Sequence, residues 1–171
     1  MTNVTINENC DICVDSSGFQ ESPSGVNCTF IRFGTTGLKC YRTKRLRDRS
    51  YANQLYLSEL GFAPTVGMKT VVTVNEDGVD CTYYAHETQV LTDVLDRKVY
   101  DNYRDNCEWD KADEFTERFD HAAWVLSGDL PDNVIWNDSH CFNVGFDDSG
   151  QPMIIDCADD LLGDGSIDHF E

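Results

Sequence analysis

At 171 residues with 40% hydrophobic content, the chain is long enough for one well-filled domain or two small lobes. No apolar run approaches the roughly 18 residues of a membrane span, and MTNVTINENC lacks the basic start and apolar core of a secretory signal. A soluble, cytoplasmic protein is therefore expected, with no membrane partner. The net charge is -18, and the C-terminal third from Phe119 onward holds 12 acidic residues and no Lys or Arg. Such a surface repels nucleic-acid phosphates, attracts divalent cations and suits a basic protein partner.

In chain order, Cys10 to Val14 and Asn27 to Phe33 read as strands, Gly34-Thr35-Thr36-Gly37 as a turn and Leu38 to Tyr41 as a further strand. The run from Leu38 to Arg49 carries Lys39, Arg42, Lys44, Arg45, Arg47 and Arg49; apart from Lys39 it reads as an exposed basic edge as readily as a phosphate-binding one. Residues 47 to 60 form a helix stopped by Gly61 and Pro64. Val71 to Val74 and Cys81 to Ala85 flank Asp77-Gly78, a hairpin signal. Residues 88 to 104 and 110 to 126 read as helices, the second with Ala112, Phe115, Phe119, Ala122, Ala123 and Leu126 on one stripe. A connection near Glu87 separates a β-rich first part from a helical second part.

The chemistry concentrates in Trp136 to Asp159. Val144 to Phe146 and Pro152 to Ile155 are short apolar runs around Asp147-Asp148-Ser149-Gly150-Gln151, which predicts a hairpin with a five-residue loop. Pairing Phe146 with Pro152 sets Asn143 beside Ile155 and Phe142 beside Asp156, so Asn143 and Asp156 lie diagonally across the open end. Asp138, five residues before Asn143, sits in the loop feeding the hairpin. Three oxygen donors there suit a hard cation such as Mg²⁺. A surface hairpin whose polar residues only cap turns is the plain alternative. Cys10 and Cys13 form a lone CxxC whose side chains would point to opposite faces of a strand, which disfavours shared zinc binding. Cys28, Cys40, Cys81, Cys141 and Cys157 read as small buried apolar residues.

The order of elements, together with Gly37-Leu38-Lys39, Asp138-Ser139-His140-Cys141-Phe142-Asn143 and Ile154-Ile155-Asp156, resembles the protein-kinase-like fold family, including its aminoglycoside and choline kinase relatives and short bacteriophage members. That resemblance implies an α+β, two-lobed fold: an N-lobe over residues 1–87 with a small antiparallel sheet and one helix, and a truncated helical C-lobe over 88–171. It implies ATP and Mg²⁺ as cofactors. Lys39 would steady the phosphates, and Gly18 and Gly25 would line the nucleotide loop. Asp138 would be the catalytic carboxylate, and Asn143 and Asp156 would hold the metal.

Departures from the family pattern set a second reading beside the first. The loop from Ser16 to Gly25 has two glycines but also Glu21 and Pro23. Where the following helix should offer Lys39 a Glu there are Ala52 and Asn53, with Glu59 about two turns late. Trp136-Asn137 precedes the catalytic Asp, Cys157-Ala158 replaces Phe-Gly, and 15 residues follow Asp156. One expectation is a minimal ATP-dependent phosphotransferase acting on a hydroxyl. The other is a catalytically inactive pseudokinase, phage-encoded, that inhibits a host protein through its acidic surface or as a nucleic-acid mimic.

Overall fold

Along the fourth strand, Leu38 and Cys40 point to one side while Lys39 and Tyr41 point to the other, and this alternation organises the first half of the molecule. The computed structural model describes residues 4–7, 13–14, 28–33, 36–76 and 79–157. Gly18, Gly25 and Cys10 lie outside them. The fold is α+β with antiparallel sheets, and the chain divides into two compact units, 1–55 with 65–90 and 56–64 with 91–171.

The first unit contains a six-stranded sheet of β1 (Val4–Asn7), β2 (Cys13–Val14), β3 (Cys28–Phe33), β4 (Thr36–Tyr41), β5 (Val66–Glu76) and β6 (Val79–Gln89), in the order β2-β1-β5-β6-β4-β3. Glu76 pairs with Val79 in the β5–β6 ladder, and the expected turn at Asp77-Gly78 lies outside the described residues. Helix α1 (Lys44–Glu59) starts in this unit, capped by Thr43, whose Oγ1 accepts from Leu46 N at 3.2 Å. It ends at Gly61, whose φ of +83° suits a residue without a Cβ. Ile31, Leu38, Cys40, Val72, Tyr83 and Ala85 form an apolar cluster on one face of the sheet. The other face, under α1, is polar: Tyr41 hydroxyl meets Ser50 Oγ at 2.5 Å, and the Arg47 guanidinium donates to the carbonyls of Thr70 and Ala85, each at 3.4 Å. Arg47 is thus buried in the helix–sheet interface, where its Nε also pairs with Asp48 at 2.7 Å, and does not belong to an exposed basic edge.

In the second unit, β7 (Asp93–Val94), β8 (Val144–Phe146) and β9 (Pro152–Ile154) form a sheet in the order β7-β8-β9, with α2 (Arg97–Asp105) and α3 (Trp109–Asp129). The expected helix over 88–104 is corrected. Residues up to Gln89 extend β6, because Glu87, Thr88 and Gln89 find partners on β4, and the helix begins only where Asp96 accepts from Lys98 N at 2.9 Å. The stripe of α3 holds as read: Ala112, Phe119, Ala122, Ala123 and Leu126 are buried, and Phe119 meets Phe146 edge-on at 5.1 Å. With Leu57, Trp136, Val144 and Ile154 they make the core of this unit. Arg118 clamps its edge, pairing with Asp93 at 2.6 Å and lying 3.7 Å over the Phe146 ring.

Candidate functional site

The hairpin has the register read from its turn: Phe146 pairs with Pro152, Gly145 with Met153 and Val144 with Ile154. One residue further out, Ile155 N donates to Asn143 O at 2.9 Å. The loop closes through local chemistry. Asp147 Oδ1 accepts from Ser149 N at 2.9 Å, Ser149 Oγ at 2.7 Å and Gln151 N at 2.8 Å, and Gly150 takes φ +83°. These donors, the Ser149 hydroxyl first, hold the Asp147 carboxyl below its ordinary range.

Upstream of β8, the segment around Asp138 is pinned at both ends by buried side chains, Trp136 on one side and Cys141 on the other. Ser139 Oγ meets Ser127 Oγ on α3 at 2.6 Å. A single 3-10 turn, Cys141–Asn143, then leads into the hairpin. Burial, followed by the charge of Asp120, pushes the Cys141 thiol up to about 11, so it serves as a packing group and not as a nucleophile.

This turn brings Asn143 onto Asp138. Asn143 Nδ2 donates to Asp138 O at 3.0 Å and to Asp138 Oδ2 at 2.8 Å, contacts that assign it as the amide nitrogen, and it also lies 3.1 Å from His140 Nε2. Among the described residues no donor reaches the amide oxygen, Oδ1, so its lone pairs are left for something else. His140 completes the group. Its Nδ1 accepts from Phe142 N at 3.2 Å, and its Nε2 lies 3.3 Å from Asp138 Oδ1 and 3.1 Å from Asn143 Nδ2. The Asp138 side chain nevertheless remains 73% exposed. Asp156, next after the residue bonded to Asn143, is half-buried at the mouth of the same hairpin. Asp138 and Asn143 are therefore in direct contact, with Asp156 one residue past the last hairpin hydrogen bond. Among the described residues no group of three or more His, Cys, Asp and Glu side chains gathers in metal-binding array, so any cation here would draw on the amide oxygen of Asn143 as well as on carboxylates.

Lys39 lies in the first unit, only 8% exposed, with Nζ donating to Gln54 Oε1 at 2.8 Å. Gln54 Nε2 donates in turn to Thr88 Oγ1 at 2.7 Å. Gln54 is an α1 partner that the sequence does not reveal: the family resemblance implies a carboxylate near Ala52 and Asn53, and a neutral amide one residue on does the holding. His86, directly paired with Lys39 across β4 and β6, is fully buried between Tyr41 and Tyr51. Burial first, then the Lys39 charge, push its imidazole down to about 3. Its Nδ1 lies 3.2 Å from Glu87 O, and Nε2 has no hydrogen-bond partner.

Compared with known proteins, the chain matches no family model, no curated protein and no solved structure.

Proposed function

We propose that the chain is a minimal kinase-like protein in which the first unit plays the N-lobe and the second the C-lobe, transferring the ATP γ-phosphate to a hydroxyl. The observation that carries this reading is the state of Asn143. Its amide nitrogen donates to Asp138 while no donor among the described residues reaches its amide oxygen, the arrangement needed if that oxygen is to face a cation beside a carboxylate. Asp138 then orients the acceptor hydroxyl and takes its proton as the acceptor oxygen bonds to the γ-phosphorus and the bond to ADP breaks. Asn143 Oδ1 and Asp156 would hold Mg²⁺, which when bound would supply charge neutralisation for the phosphates. Lys39, oriented by the Gln54 amide, would steady the α and β phosphates.

Calorimetry of ATP with Mg²⁺ tests this directly. Binding should be magnesium-dependent in the native chain and lost in Asp156→Ala. No heat at millimolar ATP sinks the reading.

A second reading, a catalytically inactive protein that engages a basic host protein, is favoured by one observation. The exposed side of α3 carries Asp110, Asp113, Glu114, Glu117 and Asp120, and ends in Trp124, 73% exposed and stacked on His121 at 6.0 Å. Large exposed aromatics are uncommon on surfaces and common at binding hot spots.

A further inference from the structure

We infer that Arg97 is the anchor for the oxyanion of a small, negatively charged acceptor molecule presented to the Asp138–Asn143 loop; this rests on the phosphotransfer reading and adds its substrate class. Arg97 opens α2, is exposed, and holds its guanidinium 4.8 Å from the centroid of Phe142. Phe142 is the middle residue of the 3-10 turn, flanked by Cys141 and Asn143. The same ring takes Tyr100 edge-on at 5.1 Å and His140 at 6.1 Å. Arg97 therefore shares a ring with the residue that faces Asp138 Oδ1.

In a chain with 31 acidic and 13 basic residues, cations are expected to find carboxylates. Arg118 pairs with Asp93 at 2.6 Å, Lys111 with Glu108 at 2.7 Å and Lys69 with Asp48 at 3.0 Å. Among the described residues no carboxylate lies within ion-pair distance of Arg97, Lys98 or Arg104 on α2, and of these three Arg97 is the one held over a ring of the 3-10 turn, while its neighbour Asp96 accepts from the Lys98 backbone. Stacking over a ring fixes the guanidinium plane while leaving its edge N–H donors directed outward. Such an edge matches a carboxylate or a phosphate two bonds at a time. With Lys39 and the cation assigned to the nucleotide phosphates, the charge of Arg97 answers to the acceptor. The acceptor class is thus an alcohol bearing a carboxylate or phosphate.

The test is two-dimensional NMR of the full chain at low salt, titrated separately with glycerol 3-phosphate, glycerate and glycerol. One or both anions should shift the Arg97 Nε–H, Phe142 and His140 signals saturably, with glycerol inert; which anion does so separates the phosphate arm from the carboxylate arm. Arg97→Gln should raise the dissociation constant at least tenfold. Arg104→Gln, the same charge change over Tyr100 and Trp109, should raise it less than twofold. Equal losses in the two variants would mean diffuse attraction to basic residues and overturn the proposal, as would the absence of any shift. Displacement of the anion by ATP would place Arg97 in the nucleotide site and overturn the acceptor assignment. Anion binding that persists where ATP fails to bind sinks the phosphotransfer reading and leaves the Arg97 site standing, so the two failures are distinct.

Discussion

Two buried polar residues with opposite fates frame the chemistry of single side chains. Lys39 retains a strong acceptor in Gln54 Oε1 at 2.8 Å, so its burial is compensated. Its cross-strand partner His86 is fully buried against that same cation, and its Nε2 has nothing to bond. The imidazole is therefore kept neutral, down to about 3, by burial and then by Lys39. The consequence for stability has a definite sign. Above the ordinary value of 6.5 the ring is neutral in both folded and unfolded chains, and pH has no effect through it. As pH falls below 6.5 the unfolded chain takes up a proton that the folded one refuses, and stability is lost progressively until about pH 3. The slope approaches about 1.36 kcal/mol per pH unit once the unfolded ring is mostly protonated, so this contributes a loss of about 2 kcal/mol between pH 6.5 and 4.5. His86→Phe keeps a ring between Tyr41 and Tyr51 and removes the titration. Urea unfolding across that range should show the native chain losing about 2 kcal/mol more than the variant. Parallel curves would mean that His86 does not govern acid sensitivity.

At the scale of elements, the link between α2 and α3 stores an avoidable cost. Cys107 has φ +58°, with its N–H bonded to Arg104 O at 3.0 Å and Glu108 N bonded to Tyr103 O at 2.8 Å, the Schellman pattern in which glycine is the favoured residue. The side chain is exposed and contributes no packing. Cys107→Gly should therefore stabilise the fold by about 0.5–1 kcal/mol, since relief of the left-handed strain outweighs the extra freedom of glycine in the unfolded chain. Urea unfolding checks it, and a lower midpoint would refute it. Such details also show which elements the sequence discloses. The hairpin from Val144 to Ile154 was legible because its turn is built from its own residues, Asp147, Ser149, Gly150 and Gln151, and one paired position then fixes the rest. The contact of Asn143 with Asp138 follows from the same locality. Gln54 was not legible, because which residue of α1 meets Lys39 depends on how the helix lies across the sheet, not on any spacing along the chain. The short β1, Val4–Asn7, exists through pairing with β5 and carries too few residues to announce a period of its own. The late start of α2 was hidden likewise: Glu-Thr-Gln looks helical until β4 offers partners.

For the whole molecule, a net charge of -18 means that any polyvalent cation will be attracted, so binding at Asn143 and Asp156 must be separated from general screening. Added NaCl should raise the melting temperature by weakening repulsion among the carboxylates, independently of the hairpin. MgCl₂ at matched ionic strength should add a further increment only if a specific site exists in the folded state, because a ligand bound there stabilises by RT ln(1 + [L]/Kd), about 2.7 kcal/mol at a hundredfold excess over Kd. That increment should vanish in Asn143→Leu, which removes the amide oxygen without changing net charge. The NaCl response of that variant should be unchanged. Calorimetric scans in the two salts decide between the alternatives. A magnesium increment equal in the native chain and in Asn143→Leu would assign the ion to the diffuse acidic surface, and with it the whole chain to the class of acidic binding proteins. An increment lost with a single amide oxygen, in a molecule with 31 carboxylate side chains, would locate the cation at Asn143 Oδ1 beside Asp138.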